Sequence, residues 1–146
     1  MSGSVHFPVP PEVVIDYLAD PANRAEWQSS LARVEDVVGE VGVGQTWTDV
    51  TLPGLRPRMR TTELVRPLRW SETGTWRGFE ADLTLELAPA PGSGCVVSVS
   101  MRLRGRGLAG PLARALQLVS PGAVRSDLRR AARILGARHR PGSDPS

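Results

Sequence analysis

The sequence of 146 residues contains no lysine and a single cysteine, Cys95. One cysteine excludes an internal disulfide, so a reducing compartment is expected. No apolar run approaches the roughly 20 residues of a membrane-spanning helix, and the N-terminus lacks the charged-then-apolar pattern of a signal peptide. We therefore expect a cytoplasmic protein without a membrane span.

Histidine is scarce as well, with one residue near each end of the sequence, His6 and His139. No cluster of Cys and His has metal-ligand spacing, and a nucleophile–histidine pair lacks a suitable histidine. The Gly42-Val43-Gly44 turn is not followed by the Gly-Lys-Ser/Thr of a phosphate-binding loop. The sequence predicts neither a metal site nor a cofactor.

All basic residues are arginine, and they are unevenly distributed. Residues 1–100 hold 8 Arg against 13 acidic residues (net −5), and residues 101–146 hold 10 Arg against 2 (net +8), which gives +3 for the chain. A basic C-terminal part is typical of contacts with nucleic acid or an anionic membrane. We favour a solvated helix face with ion pairs at a sheet edge, so a nucleic-acid partner is not expected.

A helical stripe dominates the C-terminal part between residues 108 and 135. Apolar residues recur there mostly every three or four positions, which predicts a helix with one apolar face. They are Leu108, Leu112, Leu116, Val119, Ala123, Leu128, Ala131 and Leu135. Ser120-Pro121-Gly122 predicts a kink or a break into two helices. Residues 1–137 form one domain, and the Pro-, Gly- and Ser-rich residues 138–146 are predicted to be a flexible tail.

The upstream residues show the alternation of strands. A first strand over residues 4–9 is followed by two short helices, begun by Pro10-Pro11-Glu12 and by Asp20-Pro21. Six further strands are separated by Gly- and Pro-rich turns, over residues 34–40, 46–52, 58–66, 70–76, 79–87 and 95–103. Pairing Leu87 with Val97 in the last hairpin places the apolar residues of both strands on one face. The same register puts opposite charges across the other face, in the pairs Asp82–Arg102 and Glu80–Arg104.

Several short motifs follow one another in a characteristic order from residue 4 to residue 136. They are Pro11-Glu12-Val13-Val14, Tyr17-Leu18-Ala19-Asp20-Pro21 with Trp27, Val41-Gly42-Val43-Gly44-Gln45-Thr46-Trp47, Thr61-Thr62-Glu63-Leu64-Val65-Arg66-Pro67-Leu68-Arg69-Trp70, and Asp127-Leu128-Arg129-Arg130. In this order the chain resembles the START-like, or SRPBCC, superfamily, which includes polyketide cyclase/dehydratase-like proteins.

The resemblance implies an α+β helix-grip fold. In this fold a curved antiparallel sheet of about seven strands wraps around a long C-terminal helix, and two short helices follow the first strand. It also implies a cavity between the sheet and that helix for a small apolar molecule. The superfamily shares no catalytic motif, so the resemblance assigns no catalytic residue.

The strand alternation predicts which side chains line such a cavity. If Leu52 faces Arg58, the strands over residues 46–52 and 58–66 carry Arg58, Arg60 and Arg66 on one face. Arginine is seldom enclosed, so we predict that the opposite face of these strands lines the cavity. The inward residues include Trp47, Asp49, Met59, Thr61 and Glu63, and continued alternation adds Trp70, Glu72 and Trp76. The last hairpin and the helical stripe complete the predicted ligand-binding set with Leu83, Leu85, Val99, Leu112 and Leu116.

Asp49, Glu63 and Glu72 are the candidate catalytic residues. Partly desolvated carboxylates have raised pKa values and can exchange protons with a bound ketone or enol. Asp49 and Glu63 are predicted to be diagonal neighbours that influence each other's titration. Alternatively, a bulge would turn a carboxylate to the other face, or the carboxylates pair with Arg58 or Arg60.

Three functions are compatible with these residues. We favour binding of a small apolar molecule, which is aromatic, polyketide-like or a lipid. The first alternative is an enzyme of the polyketide cyclase/dehydratase type that uses cavity carboxylates as acid and base. The second is an interaction protein whose Arg-rich C-terminal helix meets an acidic partner. No residue pattern indicates an oligomeric state.

Overall fold

The computed structural model describes residues 3–52, 54–105 and 120–139. A short 3-10 turn, Pro21–Asn23, precedes the second helix. The other elements in chain order are β1 (Gly3–Phe7), α1 (Pro11–Leu18), α2 (Arg24–Trp27), β2 (Leu31–Val38), β3 (Thr46–Thr51), β4 (Arg58–Val65), β5 (Arg69–Trp76), β6 (Phe79–Ala90), β7 (Gly94–Arg104) and α3 (Pro121–Arg138).

The seven strands form one antiparallel sheet in the order β1-β7-β6-β5-β4-β3-β2. Two short helices connect β1 to β2, and α3 packs against β1, β7 and α2. The predicted α+β helix-grip fold is confirmed. The start of α1 follows from its sequence, because Pro11 at the first helical position leaves no internal hydrogen bond unmade and Glu12 lies at the positive end of the helix dipole.

The predicted interruption at residues 120–122 is the start of α3. The Oγ of Ser120 accepts a hydrogen bond from the backbone N–H of Ala123 at 3.2 Å and so caps the helix. Leu128, Ala131 and Leu135 of the predicted stripe are buried. Ala123 of the stripe is half-buried, and Leu108, Leu112, Leu116 and Val119 lie outside the described residues.

The C-terminal helix α3 extends to Arg138, the first residue of the predicted tail. Nη2 of Arg138 lies 3.0 Å from Oε1 of Glu26, and Nε of Arg130 donates to the backbone carbonyl of Glu26 at 2.8 Å. These contacts fix the C-terminal half of α3 on α2. Residues 140–146 of the predicted tail lie outside the described residues.

The register of the last hairpin is confirmed. Leu87 pairs with Val97, and the predicted charge pairs stand opposite one another across β6 and β7. Nη2 of Arg104 lies 2.8 Å from Glu80 Oε2 and 2.9 Å from Asp82 Oδ2. The apolar face of this hairpin is therefore fixed toward the core.

The predicted register of β3 and β4 is wrong by an even number of residues. In the structure Trp47 lies opposite Met59. The predicted pairing of Leu52 with Arg58 would instead place Trp47 opposite Glu63, four residues further along β4. Since side chains alternate with a period of two, an even slip leaves every side chain on its predicted face. Trp47, Met59 and Asp49 are accordingly buried.

A β-bulge in β4 overturns the predicted inward position of Glu63. Thr61 pairs with Glu72, but Glu63 pairs with Ser71, so the alternation of β4 slips between these two pairs. The Glu63 side chain is 42% exposed, and its Oε2 accepts a hydrogen bond from Arg69 Nη1 at 3.3 Å. The predicted neighbour relation between Asp49 and Glu63 is therefore also wrong.

Candidate ligand-binding site

A cavity of about 130 Å³ lies between the inner face of the sheet, α2 and the first turns of α3. Most of its wall is apolar, with Trp27, Leu31, Met59, Phe79, Leu83 and Met101 among the lining residues. Five ionisable side chains, Arg24, Asp49, Glu72, Asp82 and Asp127, interrupt this apolar wall. A cavity of about 150 Å³ can admit benzene, so this one has room for a single ring.

Arg24 is the central polar residue of this wall. It is the first residue of α2, its side chain is 2% exposed, and its guanidinium carbon lies 4.9 Å from the centre of the Trp47 ring. The turn before α2 is held by Asp20, whose Oδ1 accepts a hydrogen bond from the backbone N–H of Ala22 at 3.0 Å. This turn begins α2 at the point that brings Arg24 to the sheet.

Asp49 is the fully bound counter-ion of Arg24. Arg24 donates from Nε to Oδ1 at 3.1 Å and from Nη2 to Oδ2 at 2.8 Å, the two-pronged geometry that favours an arginine–carboxylate pair. Nε1 of Trp47 donates to the same Oδ1 at 2.9 Å. Both oxygens of Asp49 are therefore engaged, and the residue holds Arg24 in place.

Glu72 is bound on one side only. Its Oε2 accepts a hydrogen bond from Arg24 Nη1 at 2.9 Å, whereas its Oε1 accepts none from the residues that the structure describes. Burial raises the pKa of Glu72; Arg24 opposes this effect, and the charge of Asp49 adds to it. The burial effect prevails because Asp49 already balances the charge of Arg24. Glu72 thus lines the cavity with one carboxyl oxygen, Oε1, that accepts no hydrogen bond from the described residues.

The raised pKa predicts how the stability contributed by Glu72 varies with pH. Above its ordinary value of 4.5 the folded protein retains a proton that the unfolded chain has lost. Stability from this group is therefore greatest below pH 4.5 and is lost as the pH rises toward the folded pKa. We expect the free energy of unfolding of wild type to fall relative to that of Glu72→Gln between pH 4 and 8. Urea unfolding across this range checks the sign, and a difference that is flat or rises with pH would contradict it.

Asp127 joins α3 to the loop before β2 at the cavity wall. Its Oδ1 accepts hydrogen bonds from the backbone N–H of Ser29 at 3.2 Å and from the Oγ of Ser29 at 2.9 Å. Burial raises the pKa of Asp127, and the bonds from Ser29 oppose the rise. Asp127 thus adds a further carboxyl group to the wall that contains Glu72 and Asp49.

Residues 1–140 match the family model described as polyketide cyclase / dehydrase and lipid transport. The chain belongs to this family. Family membership, together with the fold, supports the binding of hydrophobic ligands in general. No curated protein matches the sequence.

Solved structures share the fold of this family member at low sequence identity. XoxI from Bacillus cereus is 12% identical over 95% of this chain and 97% of that chain, with a TM-score of 0.69. DR_A0006 from Deinococcus radiodurans is 20% identical over 94% and 96%, with a TM-score of 0.65. Ara h 8.0201, a Bet v1 allergen, is 14% identical over 90% and 97%, with a TM-score of 0.66. At these identities the likeness shows the SRPBCC/Bet v1-like fold alone.

The predicted site residues fall into four groups. Those in the cavity wall are Asp49, Met59, Glu72, Trp76 and Leu83. Those that are buried without lining the cavity are Trp47, Thr61, Trp70, Leu85 and Val99. Glu63 lies on the outer face of the sheet, and Leu112 and Leu116 lie outside the described residues. The cavity is thus built on part of the predicted set.

Sequence reasoning missed Arg24 and Asp127. A signal for Arg24 was present, because the three carboxylates predicted to face inward, Asp49, Glu63 and Glu72, favour a buried cation. Arg24 lies three residues before Trp27, which places both side chains on one face of a helix. For Asp127 no comparable signal exists, since its partner Ser29 is distant in sequence.

Two general findings bear on the chemistry of the site. Within the described ranges, no three or more His, Cys, Asp or Glu side chains are grouped so that they could hold a metal ion. None of the helices in those ranges is both long and apolar enough to cross a membrane.

Proposed function

We propose that this protein binds a small, largely apolar molecule of about one ring in the cavity between the sheet and α3. The cavity itself carries the proposal, because an apolar wall with a few converging polar groups is the usual form of a small-molecule site. Aromatic and aliphatic side chains enclose the body of the ligand. The polar group of the ligand lies near Arg24 and Glu72, which form a polar part of the cavity wall.

The size of the cavity narrows the ligand class. Pockets for drug-sized ligands measure roughly 300–1,000 Å³, and this cavity measures about 130 Å³. We therefore favour a single-ring aromatic or alicyclic molecule over a multi-ring polyketide or a long acyl chain. We also propose that the protein acts in the cytoplasm, a reducing compartment in which the buried thiol of Cys95 stays free.

Filling the cavity tests this proposal. Ala81 lies in the cavity wall, and leucine at this position places three more carbons there. We expect Ala81→Leu to weaken toluene binding about tenfold or more, measured by isothermal titration calorimetry. Ala88→Leu is the matched control, because Ala88 is an exposed residue of the same strand. Equal toluene affinity in Ala81→Leu and Ala88→Leu would refute the assignment of the cavity.

A second candidate function is acid–base catalysis by Glu72 on a ligand held in this cavity. The free Oε1 and the raised pKa of Glu72 favour it, since a general acid or base needs an accessible and exchangeable proton. The bound state of Asp49 and the outward position of Glu63 argue against these two residues as the proton carriers. The signature of this function is a turnover that Glu72→Gln abolishes.

The hypothesis of an interaction protein receives less support. Arg130 and Arg138 of the Arg-rich helix are engaged within the protein, where both contact Glu26. Arginines used in this way hold α3 against α2 and are less available to an acidic partner.

A further inference from the structure

The cavity wall contains more carboxyl groups than cationic groups. Two buried carboxylates, Asp49 and Glu72, share the single guanidinium of Arg24, and the carboxyl group of Asp127 stands in the same wall. Arg24 is the one cationic residue of the wall in the part of the chain that the structure describes. A buried excess of negative charge is unfavourable, and a proton or a bound cation relieves it.

The unused hydrogen-bonding capacity beside Arg24 points the same way; elsewhere in the wall the buried Nε1–H of Trp27 has no acceptor among the described residues. Asp49 uses both oxygens on Arg24 and Trp47, whereas Glu72 Oε1 accepts no hydrogen bond from the described residues. When Glu72 is ionised, a ligand that reaches this oxygen gains a hydrogen bond only if it is a donor. A carboxylate or phosphate group placed there would meet like charge and find Arg24 already occupied.

The aromatic part of the wall favours a cation over a neutral donor. Trp27, Trp76 and Phe79 line the same cavity. Their ring faces carry partial negative charge and attract ammonium groups. An ammonium group beside Glu72 would therefore be stabilised by a charge-assisted hydrogen bond, in a wall that also contains these rings.

We propose that the ligand of this cavity is a small ring-bearing amine, bound as the ammonium ion with an N–H donated to Glu72 Oε1. This inference rests on the proposed function, because it names the chemical class of the ligand held in the same cavity. It excludes ligands whose polar group is an anion.

A series of one-ring probes tests the proposal on the full chain. Toluene, benzyl alcohol, benzylamine and benzoate share the ring and differ in the polar group, and calorimetry at pH 7 measures their affinities. We expect benzylamine to bind about tenfold or more tighter than benzyl alcohol, as a hydrogen bond to a charged group predicts. Benzoate is expected to bind weakest of the four.

Two variants assign the preference to Glu72. In Glu72→Gln the ratio of benzylamine to benzyl alcohol affinity is expected to fall to near one, whereas Glu63→Gln, which removes a carboxylate outside the cavity, keeps the wild-type ratio. Circular dichroism verifies that both variants are folded. If Glu72→Gln does not fold, the wild-type series alone decides, because its ranking does not depend on the variant.

The outcomes separate this inference from the proposed function. Binding of toluene without a preference for benzylamine, or with benzoate bound as tightly as the amine, overturns the amine assignment and leaves the apolar cavity in place. A preference for benzylamine that survives Glu72→Gln overturns the role of Glu72. No binding by any of the four probes contradicts the proposed function and the inference together.

Discussion

Arg24→Met is expected to lower the free energy of unfolding by about 3–5 kcal/mol, because it leaves Asp49 and Glu72 buried without a counter-charge. Methionine retains the apolar stem of the side chain, so the loss reports the guanidinium rather than the packing. Urea unfolding at pH 7, followed by tryptophan fluorescence, measures the change.

A surface arginine provides the control for this prediction. Arg33 is 59% exposed and pairs with Glu35 on β2, so Arg33→Met is expected to change stability by no more than about 1 kcal/mol. In a Glu72→Gln background the loss from Arg24→Met should be smaller, since only Asp49 then remains unpaired. Equal losses from Arg24→Met and Arg33→Met would contradict the view that Arg24 holds two buried carboxylates together.

Leu128→Ala is expected to cost about 2–5 kcal/mol of stability, the range for removing a fully buried leucine side chain. Leu128 is 0% exposed and belongs to the apolar face with which α3 covers the sheet. Its neighbours in sequence include Asp127, which lies in the cavity wall. The same variant is therefore expected to weaken toluene binding as well as stability, which chemical unfolding and calorimetry measure in turn.

Leu52→Ala is the matched control for Leu128→Ala. Leu52 follows β3 and is 68% exposed, so the same three carbons are removed from a side chain that contributes little to the core. We expect its stability to stay within about 0.5 kcal/mol of wild type. A comparable loss in both variants would show that α3 does not anchor the core through Leu128.

Sequence reasoning succeeded where two independent constraints agreed. In the β6–β7 hairpin one register satisfied both the apolar face and the opposite charges, and the structure has that register. In β3 and β4 the sequence constrained only which face of the strands points inward, because burying three arginines is unfavourable. It did not constrain which residues of the two strands pair. The face was therefore right although the pairing of Trp47 was wrong.

The candidate site was less predictable because it depends on a bulge and on distant partners. The bulge of β4 falls within Thr61-Thr62-Glu63, which contains neither glycine nor proline to indicate it. Arg24 meets its two carboxylates across 25 and 48 residues of sequence, and local patterns do not specify such contacts. The alternation of side chains predicted that Asp49 and Glu72 face inward. Only the three-dimensional arrangement shows that both oxygens of Asp49 accept hydrogen bonds, whereas Glu72 accepts one through Oε2 alone among the described residues.

The central claim is that the cavity admits a small apolar ring, and a crystal structure of the protein equilibrated with bromobenzene tests it most directly. Anomalous scattering locates the bromine atom independently of how the protein is interpreted. We predict one strong bromine peak inside the cavity, among Met59, Leu83 and Met101. Peaks found only on the protein surface, such as at the exposed valines Val38 and Val43, would contradict the claim.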